Sequence, residues 1–96
     1  MSTTMVNIIF DNIRLPNCQK LIVRQCARKN LTWKKIFDLL SYETKVDASH
    51  FMLEIDNKKV KGSDIGRGVP CALAMLLSSS AEFIVFHVQY LPIFVL

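Results

Sequence analysis

One helical stripe set between segments of period two constrains this chain more than any other feature of its sequence. Trp33, Ile36, Phe37 and Leu40 stand at i, i+3, i+4 and i+7, while Lys34, Lys35, Asp38 and Ser41 point elsewhere. That spacing gathers the apolar side chains on one face of an α-helix, so the pattern predicts a main helix over about 32–43. Asn30, just ahead of it, reads as a helix cap.

On either side the period is two. Val6, Ile8 and Phe10 alternate with Asn7, Ile9 and Asp11, predicting a strand over 5–11. Pro16-Asn17 is a turn signal, and in the following 19–26 Leu21 and Val23 face one way and Lys20, Ile22, Arg24 and Cys26 the other. These two strands make a first hairpin. After the helix, Phe51 to Ile55 alternates again, Asp56-Asn57-Lys58 has turn composition, and Lys59-Val60-Lys61 forms a short return strand. Gly62 to Gly68 reads as loop, and Pro70 suits the first position of a short second helix over about 70–78, ahead of Ser78-Ser79-Ser80. From Glu82 to Tyr90 apolar residues occupy both alternating faces, the pattern of a central strand.

Ninety-six residues suffice for one packed core, so one domain is expected over 1–96, with 91–96 as an apolar tail. The chain is 51% hydrophobic and 21% charged with three glycines and three prolines, which excludes disordered and collagen-like classes. Glu82, His87, Gln89 and Pro92 interrupt the longest apolar run, so no membrane span is expected, and the first ten residues show no secretory signal pattern. Cys18, Cys26 and Cys71 are odd in number and lack C-x-x-C spacing, which points to a reducing compartment, cytoplasmic or nuclear.

The order strand, strand, helix, strand, short strand, short helix, strand is an α+β arrangement. Over residues 5 to 90 it resembles the ubiquitin-like β-grasp superfamily, and Met52-Leu53-Glu54-Ile55-Asp56-Asn57-Lys58-Lys59-Val60 looks like that family's third strand, tight turn with lysine and short fourth strand. The resemblance implies a mixed sheet of four to five strands. The first and last strands would lie parallel in its middle, the second strand at an edge, and the helix across one face. It further implies a ubiquitin-like or Ras-binding-like interaction domain. No covalent attachment through a terminal diglycine is expected, since the sequence ends Tyr90-Leu91-Pro92-Ile93-Phe94-Val95-Leu96.

No set of acid, base and nucleophile assembles along the chain, so it is not expected to be an enzyme. His50 and His87 have no carboxylate or cysteine at metal-ligand spacing, and no metal or cofactor is expected. The glycine-bearing segment 62–68 lacks the G-x-x-x-x-G-K-[ST] pattern of a phosphate loop.

What remains is charge and apolar surface. The net charge is +4, and no acidic residue stands between Asp11 and Asp38, where Arg14, Lys20, Arg24, Arg28, Lys29, Lys34 and Lys35 lie. Lys20, Arg24, Arg28, Lys29, Lys34 and Lys35 are the expected partner-binding residues, on the second strand and the start of the helix. The partner would be a protein with an acidic surface, as in the strand-edge contacts that the family resemblance implies for Ras-binding modules. Alternatively the chain is a structural subunit that homo- or hetero-oligomerises through Phe83, Val85, Ile93, Phe94 and Leu96, because one helix covers only one side of a sheet. A second alternative is weak, sequence-independent nucleic-acid binding by the same cations, although the aromatics fall mainly on the buried stripe or the last strand.

Overall fold

The structure is a computed structural model and describes residues 5–14, 21–64 and 82–91. Strand β1 (Met5–Asp11) buries Val6, Ile8 and Phe10 and turns the alternate side chains outward. Strand β2 (Leu21–Ala27) runs antiparallel to it in a register that sets Ile9 against Val23. A 3-10 turn over Arg28–Asn30 leads to helix α1 (Trp33–Thr44).

The helix begins at Thr32, whose Oγ1 accepts a hydrogen bond from the Lys35 backbone N–H at 3.1 Å. Thr32 is therefore the cap, and the assignment of that role to Asn30 is corrected. Asn30 closes the preceding 3-10 turn, and the buried Leu31 separates it from the helix entrance. At the other end Lys45 takes the left-handed conformation, φ 60°, and its N–H bonds the Ser41 carbonyl. This geometry closes the last turn without a glycine.

A second 3-10 turn over Ala48–His50 follows, held by the Asp47 carboxylate accepting from the Ser49 N–H. Strands β3 (Phe51–Ile55) and β4 (Lys58–Lys61) form a hairpin joined by Asp56 and Asn57. Both joining residues have positive φ, 49° and 66°. That is the backbone a two-residue hairpin turn demands, and Asp and Asn tolerate it. Gly62 opens a third 3-10 turn, over Gly62–Asp64, and a Cβ there would lie 1.8 Å from the Ala48 carbonyl oxygen. Only glycine permits this approach of two turns.

Strand β5 (Phe83–Tyr90) lies in the centre, parallel to β1 and antiparallel to β3. The five strands stand in the order β2-β1-β5-β3-β4, so the fold is α+β, a mixed sheet with one main helix. The parallel central pair and the edge position of the second strand agree with the sequence reading. Strand and helix limits differ from it by one or two residues. The short helix expected over 70–78 and the tail 92–96 lie outside the described residues.

The helix stripe meets the sheet as its period requires. Trp33, Ile36, Phe37 and Leu40 join Val6, Ile8, Phe10, Phe51, Leu53, Ile84, Phe86 and Val88 in one buried cluster. Phe86 is its pivot. Its ring meets Trp33 edge-on at 5.7 Å between centroids and lies 6.1 Å from Phe10. Each such side chain contributes about 1.5–3 kcal/mol by leaving water, and none of the buried residues among those described is polar or charged.

Candidate interaction surface

Three regions of surface follow from this packing: the two outer edges of the sheet and the face opposite the helix. The edges differ in chemistry. Strand β4 is four residues long, and Lys58, Lys59 and Lys61 are exposed on it. Lysine-rich, short edge strands resist further pairing because an added strand must desolvate or cross those charges. Strand β2 is seven residues long and carries one charged residue, Arg24.

Arg24 points to the helix side, together with Ile22 and Cys26. Its Nε donates to Oε1 of Glu43 on α1. The carboxylate partner raises the guanidinium pKa, and in return the Arg24 hydrogen bond lowers that of Glu43. Lys34 bonds Asp38 one helical turn on, at 2.8 Å. Lys29 and Lys35 are exposed and make no ion pair among the described residues, and Arg28 is half-buried in the 3-10 turn. Lys35 lies close enough to Cys26 to oppose the rise that burial imposes on the thiol pKa. The end of β2 and the start of α1 are therefore adjacent, which gathers Lys35 beside the turn that carries Arg28 and Lys29. Lys20 is outside the described residues.

The face opposite the helix is open among the described residues. Register sets Val23, Ile9 and Val85 side by side across β2, β1 and β5. Phe83 is 57% exposed, Leu21 52% and Val23 43%. The next row holds Leu21, Asp11, His87, Glu54 and Lys59 across all five strands. His87 Nδ1 stands 3.8 Å from the Asp11 carboxylate. An apolar row and a charged row thus run in parallel. Phe83 and Val85 take the outward position read from the sequence; Ile93, Phe94 and Leu96 lie outside the described residues.

Among the described residues no three His, Cys, Asp or Glu side chains come together to hold a metal ion, and no helix is long and apolar enough to cross a membrane. Phe10, Trp33, Phe37, Phe51 and Phe86 are buried, so their rings offer no stacking platform for bases. The sequence reading did not find the Arg24–Glu43 and Lys34–Asp38 pairs. For the second, the i,i+4 spacing was the available signal. Compared with models of known protein families and with curated protein sequences, the chain matches none.

Proposed function

We propose that this chain is a ubiquitin-like β-grasp module that binds another protein without catalysing a reaction. The partner presents an acidic surface to the end of β2 and the start of α1, where Lys29 and Lys35 supply positive charge and Arg24, Arg28 and Lys34 add to the local field. The observation that carries the reading is the adjacency of Lys35 to the end of β2, an edge strand that pairs on one side alone among the described strands. A main-chain edge gives an incoming strand its hydrogen bonds, and the flanking cations select and steer it. The strand order supports the β-grasp assignment, and the unbridged Cys26 thiol is in keeping with a cytoplasmic or nuclear setting.

Display selection of random peptides on the immobilised full chain tests this. The expected sequences alternate Asp or Glu with β-branched residues. Their binding should weaken about tenfold, equivalent to about 1.4 kcal/mol, in the Lys29→Glu/Lys35→Glu variant, with the unfolding midpoint unmoved. Selected peptides without acidic enrichment, or binding indifferent to the double reversal, would overturn the proposal.

The row of exposed Val23, half-buried Ile9 and exposed Val85, with Phe83 beside it, favours a second reading, a subunit whose apolar surface is covered in an assembly.

A further inference from the structure

We infer that Arg24 is a latch on the β2 edge: anchored by Glu43, its guanidinium occupies the outward Val23 carbonyl, and a partner strand reaches that carbonyl when one of its own carboxylates draws the guanidinium away. The latch rests on the acidic-partner reading above and deepens it, by naming the side chain that the partner's acidic residue meets.

The two edges of the sheet are guarded by different means. Strand β4 is short and carries Lys58, Lys59 and Lys61, whereas β2 is seven residues long and contains no lysine or proline. A long edge without such devices is a template for any extended chain. On β2 the guard is a hydrogen bond instead. Arg24 Nη1 donates to the Val23 carbonyl oxygen at 2.7 Å, near the middle of the strand, while its Nε donates to Oε1 of Glu43. With Nε anchored on the helix, the guanidinium stays across the edge. An incoming neutral strand must displace a charge-assisted hydrogen bond from this acceptor and offers only an amide N–H, the weaker donor, in its place.

An acidic strand meets a different balance. Side chains of an added strand alternate between the two faces of the sheet, so those on the helix side stand beside Arg24 and those on the open face beside Val23. A carboxylate on the helix side accepts from both Nη groups at once, the paired geometry that a guanidinium favours. Among the described residues no acceptor engages Nη2, and Nε keeps its bond to Glu43, so the Val23 contact alone is given up. Arg24 then bridges helix and partner, and the freed carbonyl accepts the partner's N–H. Selection for acidic strands therefore occurs at the edge itself, in addition to the steering by Lys29 and Lys35.

Titration calorimetry on the full chain with two synthetic peptides tests the latch, one alternating aspartate with valine and the other asparagine with valine. Arg24→Met keeps an aliphatic stem and removes the donors. The asparagine peptide should bind Arg24→Met about tenfold more tightly than it binds the parent chain, because the edge no longer holds a charge-assisted bond. The aspartate peptide should lose most of its advantage over the asparagine peptide in the same variant. If Arg24 only attracts acidic partners, asparagine-peptide binding stays as it is in the parent; that result, or binding to neither chain, overturns the latch. A measurement on the parent chain needs no variant to fold: the Arg24 Nη resonances should move on saturation with the aspartate peptide, and Nη resonances that stay in place would likewise overturn it. Lys29→Glu/Lys35→Glu separates the two readings. A missing asparagine-peptide gain in Arg24→Met, with the charge reversal still weakening the aspartate peptide, removes the latch alone. A charge reversal without effect, with the gain in place, removes the steering by Lys29 and Lys35 alone.

Discussion

Arg24 on the edge strand and Glu43 near the end of α1, nineteen residues apart in sequence, are joined side chain to side chain. The guanidinium also donates to the Val23 carbonyl at 2.7 Å, so one side chain ties the helix to the rim of the sheet. This arrangement has a measurable dependence on pH.

The Glu43 carboxyl is held below its ordinary value, first by the Arg24 hydrogen bond, with burial opposing and the charges of Arg24 and Lys45 assisting. A carboxyl whose pKa is depressed by folding contributes stability that is present above its unfolded value and is lost as pH falls through the folded one. Glu43→Gln should therefore be less stable than the parent chain near neutral pH. The gap should close in acid, well below the ordinary glutamate value of about 4.3. Asp47, lowered by its hydrogen bonds from Ser49, keeps some acid sensitivity in the variant. Urea midpoints at the two pH values decide it, and a gap that persists in acid would mean that packing, not the ion pair, was lost.

Ser41, half-buried on α1, has a buried Oγ with no hydrogen-bond partner. Removing an unsatisfied hydroxyl while installing the best helix former should gain about 0.5–1 kcal/mol in Ser41→Ala. For a domain of this size that is a rise in the thermal midpoint of about 4–8 °C per kcal/mol. A fall in the midpoint would show that the hydroxyl has a partner.

Lys45 holds the left-handed conformation that ends α1, at a cost of about 1 kcal/mol for a residue with a side chain. Its ammonium lies 4.6 Å from the centre of the exposed Tyr42 ring, which offsets about 0.5 kcal/mol of that. Lys45→Gly should give a small net stabilisation, and Tyr42→Ala should enlarge the advantage of glycine over lysine. Calorimetry on the four variants of that cycle reads both effects.

The elements that were legible in the sequence are those whose signal is local. Trp33, Ile36, Phe37 and Leu40 declare a helix by spacing alone, and Val6, Ile8 and Phe10 declare a strand with one wet face. The Asp56-Asn57 turn was also readable, because those residues accept positive φ. What was not legible depends on which strands become neighbours. Arg24 reads as a free cation on the chain and becomes a bound one only when β2 lies beside the helix end. Ile9 reads as an exception to alternation until register sets it between Val23 and Val85. The stacking of His50 on Tyr90, 5.8 Å between ring centres, likewise exists only once β5 has crossed to β3.

The middle of the sheet is made from the two most distant strands of the described chain. Asn7 donates from both its backbone N–H and its side-chain amide to the Glu82 carbonyl, 75 residues away. During synthesis the β1–β2 hairpin and the helix therefore emerge before Phe86, the ring that Phe10 and Trp33 both meet, and the β3–β4 hairpin emerges before the strand that joins it to β1. The core closes only when β5 slides between the two halves, so a nascent chain stalled before Phe83 would hold two unfinished half-sheets exposed to chaperones and proteases. A contact of such long range also makes folding slow for a chain of this length, since loop closure comes before any reward in packing.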